Sequence, residues 1–254
     1  MTEFRPSRFE ILPTIIKNLL IINVLVFLAQ QTFGESPGFR MDNLFALHTF
    51  QSELFKPWQF VTHMFMHGSW MHLFGNMFAL WMFGSILENL WGPKRFLTFY
   101  IICGLGAAFC HMIVLYIENA NMISDYNSIV LPGDNGNAYE KAVAFMKEYG
   151  ISSRLNVQET FYYRLNEATL GASGAVFGCL AAFGFLFPNT YIYLYFFLPI
   201  KAKWFVIGYA AFELFSAVQS SAGDNVAHVA HLGGALVGII LVYFWNKKNR
   251  RTFY

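Results

Sequence analysis

Charged residues are scarce in this sequence. Only 13% of the 254 residues are Asp, Glu, Lys or Arg, whereas soluble domains carry about 25%. Hydrophobic residues make up 56% of the chain, and the mean hydropathy is +0.42. This composition excludes an ordinary soluble domain and indicates a polytopic membrane protein, which we expect to form one domain over residues 1–254. The net charge of +2 gives no indication of a nucleic-acid partner, so none is expected.

Cysteines and metal-binding motifs are also scarce. The three cysteines, Cys103, Cys110 and Cys179, all lie in apolar stretches, and none belongs to a CxxC pair. We interpret them as small core residues rather than disulfide partners or metal ligands. Histidines are numerous, but no HExxH motif occurs and no acidic residue stands beside them in the sequence. The sequence therefore predicts neither a metal site nor a cofactor.

The sequence is rich in apolar stretches that are long enough to span a membrane. We predict six spans, at about residues 14–33, 70–90, 95–117, 169–187, 204–220 and 226–245. The mixed aromatic and polar segment at 39–68 is too interrupted to span, and short interfacial helices are expected there. Residues 118–166 form a polar insertion, in which the pattern from Ala138 to Tyr149 predicts one amphipathic helix. The predicted fold is thus all-α, a six-helix membrane bundle with short interfacial helices.

Basic residues are distributed unevenly between the two sides of the predicted bundle. They mark the N-terminal segment, the turns at 92–95 and 201–203, and the tail at 247–251. Because an excess of Lys and Arg in short loops marks the cytoplasmic side, both termini are predicted to be cytoplasmic and the 118–166 insertion extracytoplasmic. No short apolar core followed by a cleavage site opens the sequence, so a removable signal peptide is not expected. We expect an integral multi-pass protein of a bacterial inner membrane.

Three of the predicted spans carry polar residues at a similar depth. Ser173 opens the fourth span, His231 lies about five residues into the sixth, and His72 and Asn76 lie just inside the second. All three spans enter from the outer face in this topology. At about 1.5 Å of rise per residue, the polar groups lie within roughly 10 Å of the outer boundary. We therefore expect them to share one site.

Each of these polar residues suits a step of nucleophilic catalysis. Ser173 stands at a helix start, where free N–H groups and the helix dipole favour a developing negative charge. A serine needs a neighbouring base to attack a carbonyl, and His231, an ionisable residue inside a span, is the candidate. His72 and Asn76 are four residues apart on one helix face, and both can donate hydrogen bonds to an oxyanion. Phe177, four residues after Ser173, is placed to stack on the imidazole of His231.

Purely structural roles stay open for the same residues. Gly171, Gly174 and Gly234 belong to small-residue motifs that let membrane helices pack closely. His231 could be a buried histidine bonded to a carbonyl, and the polar residues of the second span could be contacts between helices. Packing and catalysis are compatible, because close packing of spans four and six would also bring the histidine to the serine.

Together these motifs resemble the rhomboid family of intramembrane serine proteases, across essentially all six spans. The joint occurrence of three short motifs, in this order and on these spans, carries the resemblance. They are His63-x3-His67-Gly68-x3-His72-x3-Asn76, Gly171-Ala172-Ser173-Gly174 and Ala230-His231-Leu232-Gly233-Gly234-x3-Gly238. One position departs from the family pattern, because the first loop has Trp58-Gln59 where Trp-Arg is common. That position concerns loop packing more than catalysis.

The resemblance implies a single rhomboid domain that cleaves single-span membrane proteins inside the lipid bilayer, near their extracytoplasmic end. Ser173 would be the nucleophile and His231 the general base, a Ser-His dyad that forms an acyl-enzyme without metal or cofactor. The alternative is a non-catalytic rhomboid-like protein that binds membrane helices. Because such a protein is expected to lack the serine or the histidine, and both are present, it is the weaker hypothesis.

The same resemblance implies roles for further residues. His72, Asn76 and the Ser173 backbone N–H would bind the oxyanion, and Phe177 would support the catalytic imidazole. Glu88 occupies the place of a structural carboxylate in the second span. The small residues that support the site would be Gly171, Gly174 and Gly234.

Overall fold

Helices make up nearly all of the regular structure. The computed structural model describes residues 9–34, 39–130, 137–150, 156–194, 198–219 and 225–250. The helices in these ranges are α1 (Thr14–Phe33), α2 (Met41–Phe45), α3 (Gln59–Thr62), α4 (Trp70–Ala79), α5 (Ser85–Trp91), α6 (Pro93–Val130), α7 (Ala138–Tyr149), α8 (Val157–Leu165), α9 (Ser173–Leu186), α10 (Ala202–Gln219) and α11 (Asn225–Arg250). A 3-10 turn, His63–Phe65, follows α3, and a π-helical turn, Leu80–Gly84, joins α4 and α5 into one helix, Trp70–Trp91. Outside the described ranges lie the N-terminal segment before residue 9, residues 131–136 and 151–155 of the predicted insertion, and Arg251 of the basic tail.

Within the described ranges, four helices are long and apolar enough to cross a membrane. They are Thr14–Phe33, Trp70–Trp91, Pro93–Val130 and His228–Asn246. The apolar helix α9 has 14 residues, or about 21 Å, which is shorter than a hydrocarbon core of about 30 Å. Helix α10 has 18 residues. The predicted all-α, multi-pass membrane fold is confirmed, and the count of six spans stays a prediction.

The third predicted span is the beginning of a longer helix. Its predicted end is near residue 117, where the polar insertion was expected to begin, but α6 continues through Val130. The cause is packing, because Met122 on the additional turns is buried against Phe145 and Tyr149 of α7. Helix α8 joins the same apolar cluster. The insertion is therefore largely helical, and α7 covers the residues predicted to form an amphipathic helix.

A short antiparallel hairpin lies between α9 and α10. Strand β1 (Tyr191–Leu194) pairs with β2 (Leu198–Lys201), and Ile192 lies opposite Ile200. The alternation of exposed Tyr191 and Tyr193 with buried Ile192 is typical of a strand. The sequence analysis predicted no strand here, because an aromatic run this short has no clear period.

The Glu88 side chain connects the start of α1 to α5, the end of the second long helix, by hydrogen bonds. Its two carboxylate oxygens accept hydrogen bonds from the backbone N–H groups of Ile15 and Ile16, each at 2.9 Å. Pro13 precedes α1 and its side chain cannot cap the helix, so its first N–H groups need an acceptor from elsewhere. A carboxylate is also favoured by the helix dipole at that end. Glu88 therefore has a structural role, as the resemblance implied.

The side chain of Gln59 organises the loop before the second long helix. It is fully buried, and its Oε1 accepts from the backbone N–H groups of Lys56 at 3.0 Å and His48 at 3.3 Å. Its Nε2 donates to the carbonyl oxygens of Leu54 at 2.9 Å and Asn43 at 3.2 Å. A neutral amide that both donates and accepts thus satisfies four backbone groups of this loop. The departure from the family pattern at this position is accommodated by these bonds.

Helices α6, α9 and α11 form the centre of the bundle. Buried side chains from all three meet in one apolar core, among them Cys103 on α6, Cys179 on α9 and Val242 on α11. Both cysteines are free and fully buried. For these two the interpretation as small core residues is confirmed, whereas Cys110 is only partly buried. The shared core holds α9 and α11 against each other.

Candidate active site

Ser173 is the first residue of α9 and follows an unusual turn. The chain arrives through Gly171, whose φ of +134° lies in a region that favours glycine. The Gly171 N–H donates to the His63 carbonyl oxygen at 2.9 Å, which fixes this turn on the preceding loop. A Cβ on Gly171 would lie 2.9 Å from His72 Cε1 and 3.6 Å from Ser173 Oγ. The glycine therefore leaves room for the histidine ring beside the serine hydroxyl.

His72 directs a hydrogen-bond donor into this space. Ser69 caps α4 by accepting from the His72 backbone N–H at 3.1 Å, as expected of a serine before a helix. The Gly68 N–H donates to His72 Nδ1 at 3.4 Å, a long bond that makes Nδ1 the acceptor. The proton of a neutral imidazole is then on Nε2. That nitrogen is the one beside Gly171, because it lies 3.0 Å from the position of a Cβ there.

Asn76 offers a second donor one helical turn further on. Its side chain is 7% exposed, and among the described residues its Nδ2 has no hydrogen-bond partner. An unpaired buried donor costs about 1–3 kcal/mol, a cost that a bound acceptor would remove. Because His72 and Asn76 are four residues apart, they lie on one face of the helix. Their donors can therefore act on one acceptor.

The imidazole of His231 is held flat against Phe177. The ring centroids are 4.2 Å apart and the planes differ by 3°. Phe177 is four residues after Ser173 on α9, so both lie on the same helix face. Tyr209 of α10 stacks on Phe177 at 5.1 Å. The predicted contact between Phe177 and the histidine is present, and it brings His231 to the part of α9 that carries the serine.

Close packing of α9 against α11 makes this contact possible. A Cβ on Gly234 would collide with the carbonyl oxygen of Gly174, and one on Gly238 would lie 2.8 Å from the carbonyl oxygen of Gly178. The two helix backbones touch at both levels, which only the absence of side chains permits. The glycines thus have the packing role that was left open, and the packing is what places His231.

A carboxylate that the sequence analysis did not select lies beside the histidines. Glu213 of α10 is 3% exposed, and its Oε2 is 2.6 Å from His228 Nδ1 and 3.2 Å from His231 Nδ1. The His228 contact is a hydrogen bond, whereas the His231 contact is not aligned as one. The donor atoms of the three residues lie within 4.8 Å of one another, close enough to hold a metal ion.

No acidic residue stands beside the histidines in the sequence, which was one reason to expect no metal site, but in the folded protein Glu213 reaches His231 from a neighbouring helix. A detectable signal existed, because an ionisable residue inside a predicted span is by default a functional candidate.

The Rhomboid domain family matches residues 54–131 and 136–248, which is most of the chain. The chain belongs to the rhomboid family. This rhomboid is 28% identical over 249 residues to Rhomboid-like protein 11, chloroplastic, of Arabidopsis thaliana, with 90% of this chain and 64% of that protein covered. It is 27% identical over 227 residues to RHOMBOID-like protein 12, mitochondrial, of the same plant, with 89% and 56% covered.

A bacterial relative has protease in its name. Rhomboid protease AarA of Providencia stuartii is 25% identical over 239 residues, with 88% of this rhomboid and 69% of AarA covered. The chain spans less than two thirds of the length of the two plant proteins. The relatives are chloroplastic, mitochondrial and bacterial, and this rhomboid is a multi-pass membrane protein.

Two further histidines of the rhomboid motif, His63 and His67, lie in the segment that leads into α4. Burial lowers the pKa of both His63 and His67 to about 4, so both are neutral near pH 7. His63 Nδ1 donates to the Gln59 carbonyl oxygen at 2.7 Å. His67 is held through its backbone, since its N–H donates to Gln30 Oε1 at 3.0 Å. The His63 ring therefore bonds a loop carbonyl, whereas neither ring nitrogen of His67 has a hydrogen-bond partner among the described residues.

Proposed function

We propose that this rhomboid is an intramembrane serine endopeptidase, with Ser173 as nucleophile and His231 as general base. The observation that carries the proposal is the parallel stack of His231 on Phe177, because Phe177 stands one helical turn after Ser173. A histidine fixed there can take the proton of the serine hydroxyl. Helix packing alone accounts for the glycines but gives no reason for an oriented imidazole.

The first step is attack of Ser173 Oγ on a substrate carbonyl carbon. Because Nδ1 of His231 faces Glu213, the nitrogen left to accept the serine proton is Nε2. As the C–O bond forms, the proton moves to Nε2 and the carbonyl π electrons move onto oxygen. The carboxylate of Glu213 stabilises the imidazolium formed in this step, so the predicted Ser-His dyad gains a third member.

The oxyanion is bound by donors from two helices. His72 supplies Nε2–H, Asn76 supplies its unpaired Nδ2, and Ser173 supplies its backbone N–H at the start of α9. One such donor is worth about 10²–10³ in kcat. Collapse of the intermediate breaks the C–N bond, and His231 protonates the departing amine. Water then hydrolyses the acyl-enzyme at Ser173 by the same steps in reverse.

The proposed substrates are the transmembrane segments of single-span proteins, cut near their extracytoplasmic end. The carbonyl groups of an intact helix are bonded within the helix, so the segment must unwind locally before attack. An open apolar groove of about 440 Å³ lies along α10 and offers a place for such a segment to arrive from the lipid. Its lining residues are Ile200, Trp204, Phe205, Gly208, Tyr209 and Phe212. The proposed orientation of the protein in the membrane, with both termini cytoplasmic, is based on the distribution of basic residues.

The test is cleavage of a panel of single-span proteins by the purified protein, with cut sites mapped by mass spectrometry. We expect Ser173→Ala to abolish cleavage and labelling by a fluorophosphonate probe. Ser128→Ala is the matched control, because Ser128 is an exposed serine near the end of α6. Full cleavage by Ser173→Ala would refute the nucleophile. A folded wild-type protein that neither cleaves nor reacts with the probe would favour the non-catalytic helix-binding alternative.

A further inference from the structure

Glu213, His228 and His231 form a compact set of metal-ligating groups. One donor atom from each residue lies within 4.8 Å of the other two. Glu213 and the Nδ1 atom of His231 are buried, whereas the two imidazole rings are each 20% exposed as a whole. The two histidines are three residues apart on α11, which places them on one face, and α10 supplies the carboxylate.

We propose that these three residues bind Zn²⁺ and that the bound ion inhibits the protease. The binding is independent of the proposed function, and the inhibition rests on it. Imidazole nitrogens and a carboxylate oxygen are ligands that Zn²⁺ takes in proteins, often three of them with one position left for water. Two imidazoles in the set favour Zn²⁺ over Mg²⁺ or Ca²⁺, which prefer oxygen ligands.

Two of the three donor distances can be compared directly with those around a tetrahedral ion, and the third, between the two histidine nitrogens, is within 4.8 Å. Ligands about 2.0–2.1 Å from Zn²⁺ lie roughly 3.3 Å from one another in a tetrahedron. Glu213 Oε2 is 3.2 Å from His231 Nδ1 and 2.6 Å from His228 Nδ1. The His228 contact must open slightly when a cation replaces the proton between the two atoms. The contact with His231 is already at the required distance.

Inhibition follows from the position of the proton on His231. In the proposed mechanism Nδ1 carries the proton and Nε2 accepts the proton of the Ser173 hydroxyl. An ion bound to Nδ1 uses its lone pair, so the single proton of the neutral ring must be on Nε2. Nε2 then cannot act as a base toward Ser173. The ion therefore stops the attack step without covering the serine.

Binding is measured first, on full-length protein in detergent micelles with Ser173→Ala to prevent autolysis. Competition for Zn²⁺ with a chromophoric chelator counts the tight sites. We expect the Ser173→Ala protein to bind one Zn²⁺, and we expect a second substitution, either His228→Gln or Glu213→Gln, to abolish this binding. The folding of each double variant is checked by its elution volume and its thermal unfolding. His72→Gln is the control, because His67 and His72 form a second pair of neighbouring rings, 5.1 Å apart.

The outcomes distinguish binding at Glu213, His228 and His231 from binding at the His67–His72 pair. Equal Zn²⁺ binding in the Ser173→Ala protein and in both folded double variants would overturn the proposal, as would loss of binding only with His72→Gln. If one variant fails to fold, the other still decides the result, because each removes a different ligand from a different helix.

Inhibition is measured on the active protein. We expect Zn²⁺ to stop cleavage of a single-span substrate, EDTA to restore it, and His228→Gln to raise the inhibitory concentration at least about tenfold. Equal inhibition of wild type and His228→Gln, or activation by Zn²⁺, would overturn the inhibitory role. A wild-type protein without activity at any Zn²⁺ concentration would refute the proposed function, while the binding measurement would still decide whether the site exists.

Discussion

The rings of Phe177 and His231 lie parallel, with their centroids 4.2 Å apart and an angle of 3° between their planes. Phe177 belongs to α9 and His231 to α11, so the orientation of the imidazole depends on how these two helices cross. The crossing in turn depends on the absence of a side chain at Gly234. Packing and the proposed chemistry are therefore linked through one ring contact.

Replacing Phe177 with Leu is expected to lower kcat about threefold to tenfold with little change in folding. The stack is worth about 0.5–1.5 kcal/mol, and its loss lets the imidazole rotate away from the serine. Initial rates on a single-span substrate give kcat, and thermal unfolding in detergent checks the fold. Phe185→Leu is the control, because Phe185 lies on the same helix and is 44% exposed. Unchanged kcat in Phe177→Leu would contradict the orienting role.

Replacing Glu213 with Gln is expected to reduce kcat about tenfold or more while KM stays near its wild-type value. The amide keeps the shape but loses the negative charge that stabilises the imidazolium of His231. Steady-state kinetics separate kcat from KM. Glu167→Gln is the control for loss of a carboxylate, because Glu167 forms an exposed ion pair with Arg164. A change confined to KM would mean that Glu213 shapes substrate binding instead.

Replacing Gly234 with Ala is expected to destabilise the protein by about 1–3 kcal/mol and to abolish most of the activity. The new methyl group would collide with the carbonyl oxygen of Gly174, so α11 must move away from α9. Thermal unfolding and substrate cleavage report the two effects. Gly208→Ala is the matched control for the unfolding measurement, because nothing lies within 4 Å of a Cβ at that position of α10. Equal stability of the two variants would show that the helices are not in such close contact.

Stability is expected to fall as the pH is lowered from about 6.5 to about 4. Burial depresses the pKa of His63 and His67 from 6.5 to about 4, so in this range the unfolded chain binds more protons than the folded one. Each histidine then costs up to about 1.4 kcal/mol per pH unit. The stabilisation is fully present above the unfolded pKa and is lost as the pH falls through the folded value.

The measurement is thermal unfolding in detergent across this pH range. His63→Gln removes one of the two titrating groups, so its unfolding temperature should depend less steeply on pH than that of the wild type. Identical slopes would indicate that His63 titrates in the same way in the folded and unfolded states.

Local sequence patterns were sufficient for the fold class and for most of the candidate site. Ser173 and His72 stand at helix starts that the sequence marks with Gly and Ser, and Asn76 follows His72 by four residues. His231 is conspicuous as an ionisable residue in an apolar run. Their common depth follows from the direction of the spans alone. These features are local, and local signals can be read without knowing how the helices pack.

Features that depend on distant contacts were not predictable in this way. Glu213 is noticeable as an ionisable residue inside a predicted span, but nothing in its neighbouring residues indicates that it lies beside His231 of another helix. The last turns of α6 are helical because Met122 packs against α7, although their composition resembles a polar loop. The hairpin residues Tyr191 and Ile192 alternate over too few positions to distinguish a strand from a loop.

The cap on the first helix has a consequence for biosynthesis. Glu88, which accepts hydrogen bonds from the N–H groups of Ile15 and Ile16, lies 73 residues after Ile15 in the chain. While the ribosome makes the intervening segment, α1 must stay in the bilayer with its first N–H groups hydrogen-bonded to water or lipid headgroups. The N-terminus of the first span reaches its native state only after the second long helix has been inserted, so these two helices are completed together rather than in chain order.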